Sequence, residues 1–146
     1  MPRPRKRRTV DHIPIFNCFK PVGRRLGQTG EVRLFWEELE ALRLKDLEGL
    51  EQLAAAERMD VSRPTFQRIL RSARSKVAQA LIEGLIIRVE GGDFQVAPRY
   101  LHCHVCGHNW QEPHGSGRGK DNFPCPACGS TEVNIQSRQE TRRHSR

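Results

Sequence analysis

No run of apolar residues in this chain approaches the roughly 18 that a membrane span requires. The N-terminal MPRPRKRRTV is basic, but no apolar segment follows it, so it does not read as a secretory signal. A soluble, cytoplasmic protein with no membrane partner is therefore expected. Apolar residues are scarce overall, at 36% against 29% charged, so the core must be modest and part of the chain is expected to be arm, linker or tail. The usual constellations of catalysis are missing as well. There is no Ser/His/Asp set, no glycine-rich phosphate loop and no metal site with an open position, so the chain is not expected to be an enzyme. Neither an internal repeat nor a heptad seam is present. Nothing marks a dimer interface, although regulators of small size often dimerise and a homodimer is retained among the candidate partners.

Negative charge is absent from particular segments. Residues 1–30 carry eight Lys/Arg against one acid, residues 62–83 carry five against Glu83, and the last eleven carry four against Glu140. Residues 31–61 reverse the balance, with four bases against nine acids. The net charge of +8 calls for an acidic partner, with nucleic acid first and an anionic membrane second.

Four segments follow from composition and periodicity. Residues 1–30, with four prolines and three glycines, read as a basic, irregular N-terminal arm tied down by Ile13, Ile15, Phe16 and Phe19. Residues 31–97 read as a mainly α domain. The spacing of Leu39, Leu42, Leu44 and Leu47 predicts a helix over 36–48, starting at Trp36 and ended by Gly49. A short helix is expected over 51–59 and a long one over 63–83, with Phe66, Ile69, Leu70, Ala73, Val77 and Leu81 on its apolar face. The runs 85–90 and 93–96 flank Gly91-Gly92 and predict a small β-hairpin, acting as a wing or covering the helical core. Residues 98–137 hold two cysteine pairs, and residues 138–146 form a basic tail expected to be disordered.

Residues 52–71 fit the twenty-residue helix-turn-helix template. Ala56 supplies the small residue at its fifth position, where the helices touch. Ala55, Met59, Val61, Phe66 and Ile69 fill its apolar positions. Its turn position, usually glycine, is Asp60, one of the few other residues that visits left-handed backbone cheaply. Ser62 is placed to cap the following helix, and Pro64 falls in a first turn that tolerates a missing N–H. The second helix of such a pair enters the major groove by its N-terminal half. That nominates Arg63, Thr65, Gln67, Arg68 and Arg71 for duplex DNA, with Arg71, Arg74 and Lys76 facing phosphates rather than bases. The arm residues Arg3, Arg5, Lys6, Arg7 and Arg8 are candidates for the minor groove or the phosphates. The plainer alternatives are a basic helix facing water and an arm that serves only solubility.

The segments MPRPRK, FKPVG, EELEALRLKDLEGL, AAERMDVSRPTFQRIL, ARSKVAQALIEG and RVEGGDF resemble the uncharacterised prokaryotic family called domain of unknown function 134. The resemblance covers about residues 1–96. It implies a DNA-binding protein with a helix-turn-helix similar to region 4 of sigma factors. Phe35 and Glu51 depart from that family's pattern, standing where Ser or Thr caps are usual, and Asp60 stands where glycine is usual.

Cys103-His-Val-Cys106-Gly107 and Cys125-Pro-Ala-Cys128-Gly129 are two CxxCG knuckles. Each spacing lets two thiolates reach one ion from a tight turn, and four complete a tetrahedral, closed site. With β-prone flanks, residues 98–137 read as a small β zinc ribbon folded largely by its metal. The knuckles also resemble those of rubredoxin and the short versions in rubrerythrins, so iron competes with zinc. His102, His104, His108 and His114 crowd the region, and Cys18 is left over as a small apolar residue or a free thiol. The leading reading is a sequence-specific DNA-binding transcriptional regulator whose ribbon adds DNA contacts or meets a protein such as RNA polymerase. An RNA- or ribosome-associated zinc protein and a redox protein with a rubredoxin-type iron site are the alternatives.

Overall fold

A computed structural model describes residues 6–112 and 123–136. The chain forms two compact units, Met1–Val96 and Ala97–Arg146.

The first unit is built on three helices. Helix α1 spans Trp36–Leu42 and widens into a π-helical turn over Arg43–Leu47, closed by the Glu48 N–H donating to the Arg43 carbonyl. Helix α2 spans Gln52–Arg58 and α3 spans Arg63–Glu83. Phe35 opens α1 with no side-chain oxygen to offer. The Glu38 carboxylate compensates by accepting the Phe35 N–H at 2.9 Å, the return half of a capping box. At α3, Ser62 Oγ accepts from Thr65 N–H, Pro64 sits in the first turn, and Gly84 ends the helix with φ +66°.

Ala41, Leu44, Ala55, Ala56, Met59, Phe66, Ile69 and Leu70 form one buried cluster where the helices meet. The small Ala55 and Ala56 let α2 lie close against α3. Leu81 departs from the expected apolar face and is 74% exposed, while Ala80 is buried. At 100° per residue, Ala80 lies only about 20° from the Ala73 direction, whereas Leu81 is roughly 80° away.

Five short strands flank the helices: β1 (Arg8–Val10), β2 (Cys18–Phe19), β3 (Glu31–Leu34), β4 (Ile86–Val89) and β5 (Phe94–Val96). They correct two expectations. First, the small β-hairpin does not form. Strand β4 lies between β3, to which it is parallel, and β2, to which it is antiparallel, while β5 pairs in parallel with β1. Gly91 and Gly92 do take positive φ, but the loop folds onto the start of α1. The Trp36 N–H reaches the Gly91 carbonyl, and the Glu37 carboxylate accepts the Asp93 N–H. Both strands find partners far upstream, so the local turn signal is overruled by distant pairing. Strand β4 buries Ile86 and Val89, with Val89 packing beside Leu34 and Ala73.

Second, the arm is not irregular throughout. Of the four expected anchors Ile13 is half-buried, while the side chains of Ile15, Phe16 and Phe19 are exposed. The anchors are Val10 and Thr9, both buried, and the Asp11–Arg58 ion pair at 3.0 Å. Strand β1 gains backbone hydrogen bonds from β5 and from the Met59 carbonyl, which a solvated arm would leave to water.

The second unit holds a three-stranded antiparallel sheet in the order β7-β6-β8, with β6 Arg99–Cys103, β7 Asn109–Glu112 and β8 Val133–Gln136. Its buried apolar residues are few, chiefly Leu101 and Phe123. The basic tail over 138–146 lies outside the described residues.

Candidate nucleic-acid surface and metal centre

The turn between α2 and α3 hinges on Asp60. Its φ is +53°, the single positive value among the described non-glycine residues. The carboxylate is fixed by Thr9, whose hydroxyl donates to Asp60 Oδ2 at 2.6 Å, and Gln95 Nε2 donates in turn to Thr9 Oγ1. This chain of contacts ties the arm strand to the turn that aims α3.

Along α3 the basic residues divide by position. Arg63, Gln67, Arg68 and Arg71 are exposed. Among the described residues Arg63 and Arg71 meet no acid, and Arg68 reaches only the Thr65 hydroxyl, at 3.4 Å. Thr65 is half-buried and also accepts from the Ser62 hydroxyl. The later residues turn back onto the protein. Arg74 grips Asp46 through two nitrogens, at 2.6 and 3.1 Å, and that hydrogen bonding raises the guanidinium pKa and lowers the Asp46 carboxyl. Lys76 pairs with Glu38 at 2.8 Å and lies 4.1 Å from the Phe35 ring centroid.

In the arm, Lys6 is exposed and Arg7 stands 3.9 Å from Asp93. Arg8 is mostly covered and also faces Asp93, at 3.8 Å. Arg3 and Arg5 lie outside the described residues.

Sequence patterning gives no sign that Glu37, Glu38 and Glu40 on α1 would be buried. Three carboxylates in one short helix ordinarily face water. Here Glu38 is satisfied by Ser72, Lys76 and the Phe35 N–H, and Glu40 by Arg43 and the His12 N–H. Burial nevertheless outweighs the pull of Arg43, and the Glu40 carboxyl pKa stands above its ordinary value.

In the second unit, the sulfurs of Cys103, Cys106, Cys125 and Cys128 all lie within 4.8 Å of one another. The cross-knuckle pairs are 3.6 Å (Cys103–Cys128) and 3.5 Å (Cys106–Cys125). Four thiolates at about 2.3 Å from one ion stand about 3.8 Å apart in a tetrahedron, so the donor set fits a tetrahedral metal. The two turns are built alike. Gly107 and Gly129 take φ +74° and +75°, and their N–H groups donate to the Cys103 and Cys125 carbonyls. The Cys103 and Cys125 N–H groups reach His108 and Ser130.

The local N–H groups also set the thiol chemistry. Those of Cys106 and Val105 hold the Cys103 thiol down at about 7. The Cys106 sulfur accepts from the His108 N–H, but desolvation and the neighbouring thiols outweigh this and push it up to about 12. Four thiols this close cannot all ionise without a cation among them, which is what a bound metal supplies. The nearby imidazoles have other partners: His102 Nδ1 meets Asn109, and His108 stacks on Trp110. His114 lies outside the described residues, and Cys18 sits half-buried in β2.

A small helical unit with a basic helix surface, joined to a unit whose four cysteines could hold a metal ion, is the class these features define. The model of the family described as "Protein of unknown function DUF134" matches residues 1–97, and the chain belongs to that family. Its relatives carry the name UPF0251 protein. One from Desulforudis audaxviator (strain MP104C) is 56% identical over 133 residues, covering 91% of this chain and 85% of the relative. One from Halothermothrix orenii is 50% identical over 129 residues, covering 88% and 95%. A third, from Pelotomaculum thermopropionicum, is 48% identical over 132 residues, covering 90% and 96%. Among the described residues no helix is long and apolar enough to cross a membrane.

Proposed function

We propose that this protein is a sequence-specific DNA-binding protein, a transcriptional regulator, in which α2 and α3 act as a helix-turn-helix and the four cysteines hold a structural zinc ion. The observation that carries the reading is the division of charge along α3. The first half presents Arg63, Gln67, Arg68 and Arg71 to solvent with no acidic partner among the described residues, behind a turn whose Asp60 has left-handed backbone. Exposed cations left without partners on a rigid helix are costly in self-repulsion and useful to an acidic ligand. In the major groove Arg63 would reach a guanine edge and Gln67 an adenine edge, while Arg71 would meet a phosphate. Arg74, engaged by Asp46, contributes less than its position in the sequence implies.

Zinc is favoured because four thiolates with no open position suit a redox-silent, structural ion. The zinc would hold the second unit in shape as a ribbon. That unit is nearly neutral, at −1 over residues 103–135, which favours contact with a protein such as RNA polymerase over contact with DNA. The protein acts by binding, without catalysis.

Selection of bound duplexes from a random pool, followed by anisotropy on the selected sequence, tests the proposal. R63A/R68A should abolish specific binding with helical content intact, and unchanged binding would refute the assignment of α3. Preference for structured RNA over duplex in competition would move the protein to the RNA-associated class. Elemental analysis separates zinc from iron, which would also give a red protein absorbing in the visible.

A further inference from the structure

The arm strand and the start of α3 enclose a cleft of about 600 Å³. Lys6 and Arg8 line one side, Ser62, Thr65 and Arg68 the other, and Asp60 joins them. Among the described residues that line it only Val61 and Ile69 are apolar, and no aromatic ring takes part. Small-molecule clefts of this size are mostly apolar and aromatic, so this one suits a hydrated, charged group. Among the described residues three cations and one carboxylate line it. That carboxylate already accepts the Thr9 hydroxyl, and Arg8 leans toward Asp93. Lys6 and Arg68, both exposed, are the cations most available to a ligand. The 21-residue α3 adds the positive end of its dipole at the same place.

The arm side of the cleft is fixed. The Thr9 N–H donates to the Met59 carbonyl at 2.9 Å, the Arg8 N–H to Asp93, and β1 runs alongside β5. Lys6 therefore leaves a strand already anchored beside the turn. We infer that this cleft is a preorganised site for a single backbone phosphate of the bound nucleic acid, gripped jointly by Lys6 and Arg68. Thr9 and Asp60 are positioning residues that hold its two sides together. The inference rests on the DNA-binding reading above, and it changes the arm's role. Lys6 serves the phosphate next to the base-reading turn of α3 rather than a separate minor-groove contact.

The test is the salt dependence of binding to one long random-sequence duplex, followed by anisotropy. Each phosphate contact accounts for about 0.9 in the slope of log K against log salt. If Lys6 and Arg68 share a phosphate, K6Q/R68A should flatten the slope by about 0.9 in all, and its affinity loss should be smaller than the sum of the two single losses. K6Q/R71A is the internal control, because Arg71 is outside the cleft, and it should be additive. A slope change near 1.8 for K6Q/R68A with additive losses, or no effect of K6Q or R68A alone, overturns the shared site. Circular dichroism of each variant checks that α3 is intact. Failure of the wild-type protein to bind any duplex would instead remove the DNA-binding reading itself, and the cleft's assignment with it.

Discussion

Replacing Asp60 with glycine should destabilise the first unit, although glycine is the residue best suited to the backbone there. Asp60 holds φ at +53°. Left-handed backbone costs an L-residue roughly 1–2 kcal/mol, and less for Asp, so glycine recovers about 1 kcal/mol. Glycine also loses more chain entropy on folding, about 0.5–1 kcal/mol, which cancels most of that gain. Against the remainder stands the loss of the 2.6 Å bond from the Thr9 hydroxyl to an ionised acceptor. Such bonds contribute about 1.5–3 kcal/mol, and Thr9 is almost fully buried. The net expectation for D60G is a loss of about 1–3 kcal/mol. A double-mutant cycle with T9V isolates the bond, because the backbone relief is present in both backgrounds and cancels. The coupling should be about 1.5 kcal/mol. Urea unfolding serves as the assay, in a W110F background so that Trp36 is the only tryptophan. A stabilised D60G, or a coupling below about 0.5 kcal/mol, would refute the claim that Thr9 and Asp60 lock arm to turn.

Metal removal and pH provide two further checks. With excess chelator, amide protection in β6–β8 should collapse while that of α1–α3 persists, since Leu101 and Phe123 are too small a core to hold the second unit alone. Persistent protection in β6–β8 would mean that the metal is dispensable for folding. Glu40 should make stability fall as pH rises, relative to E40Q. Its carboxyl pKa is raised by burial, so the folded state holds the proton more tightly than the unfolded chain does. The group's contribution is full below the ordinary carboxylate value and is lost as pH rises through the raised one. A difference between wild type and E40Q that stays flat or grows with pH would contradict this.

What was legible in the sequence was local. Helix α3 can be bounded from Ser62, Pro64 and the apolar spacing that follows, because caps and periodicity act within a few residues. The two knuckles can be read because the ligand spacing within each pair is set by a short turn, although the geometry that brings Cys103 beside Cys128 spans 25 residues. The pairing of strands was not legible. Gly91-Gly92 marks a reversal, but which strands join is decided by β3 and β1, lying 55 and 86 residues upstream of their partners in register. The inward turn of Glu38 was hidden too, since its partners Ser72 and Lys76 come from a different helix. Part of the proposed DNA surface suffers the same blindness: Arg74 looks like its neighbours until Asp46 is found across from it.

The acidic segment that precedes α3 bears on how such a basic protein would aim its charge. Residues 31–61 carry nine acids, and their placement is selective. Asp46 and Glu38 neutralise Arg74 and Lys76, Glu48 meets Arg43 and Arg58, and Asp11 from the arm also meets Arg58. Among the described residues Arg63 and Arg71 of the first turns meet no acid, and Asp60, beside Arg68 in the cleft, accepts the Thr9 hydroxyl. A charge distribution that merely kept the protein soluble would gain nothing by pairing one end of a helix and sparing the other. Removing the competing cations from the far end leaves the field strongest where Lys6, Arg63 and Arg68 lie, and a polyanion is drawn to the strongest field. If the protein binds DNA as proposed, the internal ion pairs of α3 would do for orientation what Arg63 and Gln67 would do for sequence. They would make one approach of a duplex more favourable than the others before any base is read.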